Sequence, residues 1–172
     1  VPTRMPGGNL NKVWRVPGMP TSVIAKYAPP YIASAPDVPL APERLHVAAR
    51  CLALFAPKAP LADIARPACR PPKRLGWEAE APLLVMEDLG DVPDLRTWLR
   101  DIPHPPDAAE VGAHLGRFIG QLHTRTYGDA TIAEQVANPA MQATRHAVQY
   151  SQVGAFLEAA NIEDAEALGE RA

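Results

Sequence analysis

The sequence predicts an α+β fold, in which a β-rich first half with one helix precedes a helical second half. Two observations lead to this prediction: paired apolar segments joined by a turn occupy residues 10–28 and 75–88, whereas helical periodicity dominates after about residue 90. A third is that the prolines cluster at 29–42, 57–72 and 103–106, where they separate the elements. We expect two lobes, residues 1–90 and 91–172.

The first half reads as strand, turn, strand and helix. "LNKVWRV" (10–16) alternates between apolar and polar residues, "PGMP" (17–20) forms a turn and "TSVIAKYA" (21–28) is the second strand. A proline-rich loop then leads to Pro42, a residue suited to the first position of a helix. The helix 42–55 carries one apolar face, composed of Leu45, Ala48, Ala49, Leu52 and Phe55.

A second hairpin and a series of helices follow. "LGWEAEA" (75–81) and "PLLVMED" (82–88) are predicted strands, and 94–101 is a brief amphipathic helix. Residues 107–126 show the clearest helical periodicity, with an apolar stripe of Val111, Leu115, Phe118, Ile119 and Leu122. Asn138 and Pro139 predict the start of a helix over 139–159, and 163–169 forms a last short helix.

Composition excludes several classes of protein. The 172-residue chain has a net charge of −2 and no Lys/Arg block, so it lacks the basic footprint of a nucleic-acid or anionic-membrane binder. No apolar stretch approaches the roughly 20 residues that span a bilayer. Cys51 and Cys69 have neither disulfide-framework nor metal-ligand spacing. With no secretion signal at the first residues, we expect a cytoplasmic protein.

Lys26 is an unexpected residue in the apolar run "SVIAKYA". Lysine is seldom buried without a partner, because removing an ammonium group from water costs free energy unless an anion or strong acceptors replace the water. Three interpretations compete: Lys26 faces solvent, it pairs with a carboxylate, or it binds an anionic ligand.

The glycine loop, "PGGNLN" (6–11), precedes the first predicted strand. Two glycines let the backbone N–H groups of such a loop approach a phosphate closely, although a Gly-Gly turn is also common as a plain turn. The order of elements favours the phosphate interpretation. Glycine loop, strand, strand with lysine, helix, hairpin and helices is the order of a kinase-type small lobe.

These segments together resemble a known family. "GGNLNKVWRV", "SVIAKYAPPYI" and "PLLVMEDLGD" are similar, in order and spacing, to segments of the aminoglycoside-phosphotransferase-like kinases, most closely the 5-methylthioribose kinase branch. The resemblance covers residues 5–130 well. It implies a kinase-like small lobe followed by the first helices of an incomplete large lobe. The implied activity is ATP-dependent phosphorylation of a hydroxyl on a sugar-like or amino-alcohol molecule.

The resemblance also implies roles for individual residues. Lys26 would contact the α- and β-phosphates of ATP, and the glycine loop would cover the phosphates through Gly7, Gly8, Asn9 and Asn11. The hinge segment (86–89) would meet the adenine edge with its main chain, through Met86, Glu87 and Leu89. The implied cofactors are ATP and Mg²⁺, and the implied partners are a nucleotide and a small-molecule substrate, with no nucleic acid or membrane.

Two departures from the family pattern concern catalysis. Ala48 and Arg50 stand where the helix glutamate that pairs with the lysine is expected. No His-Gly-Asp-x-x-x-x-Asn loop is present, and we reject Asp129 in "RTYGDATIAEQ" because Tyr127 precedes the Gly-Asp pair and Glu134 follows it where Asn is needed. We therefore assign no catalytic or metal-binding residue, and expect a nucleotide-binding fragment that is inactive alone. The alternative is a non-catalytic kinase-like protein that binds nucleotide or a partner.

Overall fold

The computed structural model describes residues 1–6, 8–18, 20–101 and 107–169 of the chain. Two compact units divide it, Val1–Val136 and Ala137–Ala172. The first contains a five-stranded antiparallel sheet, a two-stranded sheet and helices, so the predicted α+β class is confirmed. The predicted lobe boundary at residue 90 stays a prediction.

The larger sheet has the strand order β1-β2-β3-β7-β6. Its strands are β1 (Thr3–Arg4), β2 (Lys12–Val16), β3 (Val23–Tyr27), β6 (Arg74–Glu78) and β7 (Leu83–Glu87). The two predicted hairpins, β2–β3 and β6–β7, are confirmed, and β3 pairs with β7 as well. As a result β3, the strand that carries Lys26, lies in the middle of the sheet.

The segment predicted as a proline-rich loop contains a small hairpin. Its strands are β4 (Tyr31–Ile32) and β5 (Ala35–Pro39), which form a separate two-stranded sheet. The loop prediction was therefore wrong for residues 31–39. Pro36 and Pro39 cannot donate to a ladder, but an isolated two-stranded sheet consists of edge strands, where proline is tolerated.

Helix α1 (Arg44–Ala53) packs on the sheet through the face that the sequence predicts. Leu45 and Ala49 are buried against Ala28, which follows β3, and against Leu84 of β7. The cluster is completed by Ala48, Leu52 and Trp77. Burying a leucine side chain contributes about 1.5–3 kcal/mol. The cluster therefore holds α1 over the face of β3 and β7 on which Leu84 lies.

The later helices of the first unit are α2 (Leu95–Asp101), α3 (Ala108–Thr126) and α4 (Ala130–Val136). A second core cluster joins the end of α1 to α3 and α4. Its buried residues are Leu54, Leu61, Ile64 and Ile132, with Phe118 and Leu122 of α3 packed against them. The predicted apolar stripe of α3 is thus only partly covered, because Leu115 and Ile119 remain 37% and 40% exposed.

The second unit is helical throughout its described part. It contains α5 (Pro139–Arg145), a π-helical turn (His146–Tyr150), α6 (Val153–Ala159) and α7 (Ala165–Gly169). The side chain of Asn138 accepts a hydrogen bond from the Met141 N–H at 3.1 Å, so the predicted helix start is confirmed. The prediction of one helix over 139–159 was wrong, because the π-helical turn and a turn at residues 151–152 interrupt it. Across the described residues, no helix is both long and apolar enough to cross a membrane.

Candidate functional site

Lys26 lies half-buried on the face of the sheet that α1 covers. It is paired with Val13 of β2 and Leu84 of β7, and its neighbours two residues away, Ile24 and Ala28, are buried. Residues two apart in a strand point to the same side of the sheet. The solvent-facing interpretation of Lys26 therefore fails.

The charge of Lys26 has no acidic partner in the described part of the chain. None of the ion pairs between described residues involves it. Burial lowers the pKa of Lys26, and repulsion from the guanidinium of Arg44 lowers it further. Helix α1 has Ala48 at the position where the family resemblance implies a glutamate, and Ala48 packs against the core. Of the three interpretations, an anionic ligand is the one that this environment favours.

The glycine loop forms a tight turn beside β2. A Cβ atom on Gly8 would lie 2.5 Å from the carbonyl oxygen of Asn11, which is closer than a real side chain allows. The Asn9 carbonyl accepts hydrogen bonds from the N–H and the Oγ of Ser34, at 2.9 and 3.1 Å. Gly7, the remaining residue predicted for this loop, lies outside the described residues. Glycine at position 8 is therefore required by the turn itself.

Sequence reasoning missed Arg44, the buried charged residue in the first turn of α1. Its side chain is 9% exposed and hydrogen-bonds to six acceptors. Two of them belong to the glycine loop: the Leu10 carbonyl, 2.7 Å from Nη2, and Asn11 Oδ1, 3.2 Å from Nε. No local pattern in the sequence indicates this role, because four of the six acceptors come from segments 13 to 34 residues away.

The hinge segment is anchored through its acidic residues. Arg70 binds the Glu87 carboxylate with both terminal nitrogens, at 2.5 and 2.9 Å, and the Lys73 N–H donates to it at 3.1 Å. The hydrogen bond from Arg70 is the main reason that the pKa of Glu87 falls to about 2. The Glu87 N–H donates to the Lys73 carbonyl and so is not free for a ligand. Leu89, by contrast, is 55% exposed.

Asp88 is a second anchor of the hinge segment, and sequence reasoning did not assign it a role. Its carboxylate accepts hydrogen bonds from Ser22 Oγ at 2.6 Å and from the Gly90 N–H at 3.0 Å, and it lies 2.7 Å from Arg15 Nε. The Ser22 hydroxyl is the largest cause of a lowered pKa of Asp88, followed by the Gly90 N–H. Asp88 thereby fastens the hinge segment to the β2–β3 hairpin.

Cavity volume by itself does not locate the site. A cavity of about 320 Å³ borders the glycine loop and is lined by Gly8, Asn11, Lys12 and Val13, among others. Another, of about 420 Å³, lies between the end of α1 and residues 70–75. The first cavity borders the predicted glycine loop, and the second borders Arg70, which holds Glu87 of the hinge segment.

The rejected Gly-Asp pair has a structural role. Asp129 Oδ1 accepts a hydrogen bond from the Ile132 N–H at 3.0 Å and so caps α4, while Gly128 adopts a φ of 73° in the preceding turn. A helix N-cap uses an aspartate side chain in this way. Among the described residues, no group of three or more His, Cys, Asp or Glu side chains could hold a metal ion.

Comparison with known proteins gives one informative similarity. No family model matches the chain. The chain is similar to a 4-hydroxytryptamine kinase from Psilocybe cyanescens, with 30% identity over 130 residues, which are 70% of this chain and 35% of that protein. It spans about a third of the length of this curated relative. The similarity supports the coarser part of the resemblance inferred from the sequence, namely to kinases that act on small molecules.

Proposed function

We propose that this chain is the nucleotide-binding part of an ATP-dependent phosphotransferase that acts on a hydroxyl group of a small molecule. The observation that carries the proposal is Lys26, a half-buried ammonium next to a second cation and with no carboxylate partner among the described residues. An anionic ligand would compensate both charges. The similarity to a 4-hydroxytryptamine kinase supports a phosphate donor as that anion.

ATP fits the residues that surround Lys26. The ammonium acts as a point charge on the α- and β-phosphates, and the backbone of Gly8, Asn9 and Asn11 supplies N–H donors. The main chain of Met86 and the exposed Leu89 would border the adenine. In phosphoryl transfer, positioning and charge supply almost all of the catalysis, so this part of the chain would bind and orient the donor.

The finer assignments are also proposals. We assign the protein to the aminoglycoside-phosphotransferase-like kinases and, within them, near the 5-methylthioribose kinase branch. Mg²⁺ would accompany ATP, but no group of three or more His, Cys, Asp or Glu among the described residues could hold it. A sugar-like or amino-alcohol substrate fits the proposal, as does the cytoplasm, because both cysteines are free thiols.

One observation favours a second function, that of a nucleotide-binding protein without transferase activity. Ala48 packs against the core where a kinase of this type would place the glutamate that orients the lysine. Without that partner, Lys26 would hold phosphates less rigidly. Binding and turnover separate the two functions, since both require nucleotide affinity but only the first releases ADP in the presence of an acceptor.

The experiment is a titration of the chain with Mg·ATP by calorimetry, comparing wild type with Lys26→Met and Lys58→Met. Lys26→Met keeps most of the apolar stem and removes the charge, and loss of a charged hydrogen bond weakens ATP affinity by about tenfold or more. Lys58 is exposed, so its variant is the charge-matched control and keeps full affinity. Equal ATP affinity in wild type and Lys26→Met would contradict the proposal.

A further inference from the structure

Arg44 connects the glycine loop to the rest of the first unit. Its guanidinium donates to the Leu10 carbonyl and to Asn11 Oδ1 in the loop, and to the Pro29 and Tyr31 carbonyls that follow β3, at 2.9 and 3.3 Å. The carbonyls of residues 40 and 41, just before α1, take its other terminal nitrogen at 3.0 and 2.7 Å. One buried side chain therefore joins three chain segments.

Ser34 holds the same loop from the β4–β5 hairpin. Its N–H and its hydroxyl both donate to the Asn9 carbonyl, and Lys12 Nζ donates to the Tyr31 hydroxyl at 2.9 Å nearby. The hairpin that the sequence did not predict is thus a support for the glycine loop. Two successive loop carbonyls, those of Asn9 and Leu10, are bound by these supports.

The N–H groups of the glycine loop, unlike its carbonyls, are not hydrogen-bonded to described residues. Within the described part of the chain, the N–H groups of Asn9, Leu10 and Asn11 donate to no protein acceptor. Successive backbone N–H groups in a turn form an anion-binding concavity. Because Ser34 and Arg44 donate to the loop carbonyls, the negative ends of these peptide dipoles are satisfied within the protein. The positive ends, the N–H groups, are left for a ligand.

We propose that Arg44, with Ser34, positions the glycine loop for phosphate binding without itself touching the nucleotide. This inference rests on the proposed function, because it assumes that the loop's ligand is the phosphate chain of ATP. Arg44 acts through the carbonyls of the loop, and it determines which ends of the loop's peptide groups are free. It also explains why a buried cation is kept in the first turn of α1 without a carboxylate partner among the described residues.

The chemistry of the side chain requires arginine. A guanidinium offers five N–H donors in a planar fork, and here it serves six acceptors by sharing one nitrogen among three carbonyls. Lysine has three donors on a single nitrogen and cannot reach acceptors on several sides. Arg44→Lys would keep the charge but leave at least two of the five carbonyls unpaired, so it separates the geometry of the residue from its charge.

The test compares affinities for Mg·ATP, Mg·ADP and adenosine, measured by calorimetry on the whole chain. In Arg44→Lys and in Ser34→Ala we expect ATP and ADP affinity to fall, by about tenfold and about threefold respectively, while adenosine affinity stays at the wild-type value. Arg117→Lys, an exposed substitution on α3, is the control and leaves all three affinities unchanged. Circular dichroism and Tm show which variants are folded.

The ratio of ATP affinity to adenosine affinity distinguishes positioning from a general loss of structure. A merely structural role would lower the affinities for adenosine and ATP together. Positioning lowers the affinity for ATP and leaves that for adenosine unchanged, so it alone changes their ratio. If wild type itself does not bind ATP, the proposed function fails and this inference with it. If wild type binds ATP and a folded Arg44→Lys keeps the wild-type ratio, the inference alone is overturned. Should Arg44→Lys not fold, an unchanged ratio in Ser34→Ala overturns it equally.

Discussion

Arg70 and Glu87 form a two-pronged ion pair, with Nη1 2.5 Å from Oε2 and Nη2 2.9 Å from Oε1. The pair joins residues 70–73, which lead into β6, to the last residue of β7. Because Glu87 is also the first acidic residue of the hinge segment, this contact sets how the segment leaves the sheet. The side chain of Glu87 and its N–H thus both have internal partners, Arg70 and the Lys73 carbonyl, so neither is free for a ligand.

Glu87→Gln will lower the free energy of unfolding at neutral pH by about 1 kcal/mol, allowing for solvent screening of a partly exposed pair. The folded-state pKa is about 2, below the ordinary value of 4.5, so the stabilisation is fully present above pH 4.5 and is lost as the pH falls toward 2. Urea unfolding at pH 7, pH 3 and pH 2 checks this. Glu80→Gln, at an exposed position, is the control. If the stability difference between wild type and Glu87→Gln persisted undiminished at pH 2, the ion pair with Arg70 would not be its cause.

Lys26→Met will raise the Tm of the nucleotide-free chain by about 2 °C, because it removes a charge that burial disfavours. The pKa of Lys26 is lowered in the folded state, so wild-type stability rises with pH between that lowered pKa and 10.5. The stability gap between wild type and variant therefore narrows at high pH. Thermal scans from pH 7 to pH 10.5 measure it, and a variant less stable than wild type at pH 7 would count against an unpaired Lys26.

Ser22→Ala will destabilise the first unit by about 1 kcal/mol, because it removes the 2.6 Å hydrogen bond from Ser22 Oγ to Asp88. Thr21→Ala is the matched control, since Thr21 is exposed and its hydroxyl makes no hydrogen bond to a described residue. Amide exchange of residues 88–90 measures the local effect. Faster exchange in Ser22→Ala than in Thr21→Ala is expected, and equal rates would show that Ser22 does not hold the hinge segment.

Gly116→Ala will stabilise α3 by about 0.5–1 kcal/mol, because alanine loses less backbone entropy than glycine in a helix. A Cβ at this position has no described atom within 4 Å. Chemical denaturation of the variant measures the gain. Gly8→Ala is the contrasting control, since its Cβ would strike the Asn11 carbonyl, and it will destabilise the glycine loop. A loss of stability in Gly116→Ala would mean that another surface covers this face of α3.

Sequence reasoning succeeded where a feature depends on near neighbours in the chain. The two hairpins follow from alternation and turn residues, and the cap of α5 from Asn138 and Pro139. It failed at β4–β5, where prolines indicated a loop but two edge strands tolerate them. It also failed within 139–159, because helical composition does not reveal where a π-helical turn and a second turn interrupt the helix.

The sequence by itself determined the two hairpins of the larger sheet, the helix α1 between them and the position of Lys26 one strand after the glycine loop. These depend on local periodicity and on glycine and proline positions, which any short window of the chain contains. Only the tertiary structure decided the role of Arg44, whose acceptors lie up to 34 residues away, and the partner of Glu87, 17 residues away. Such contacts form only when packing brings separate segments together, so no short stretch of sequence can encode them.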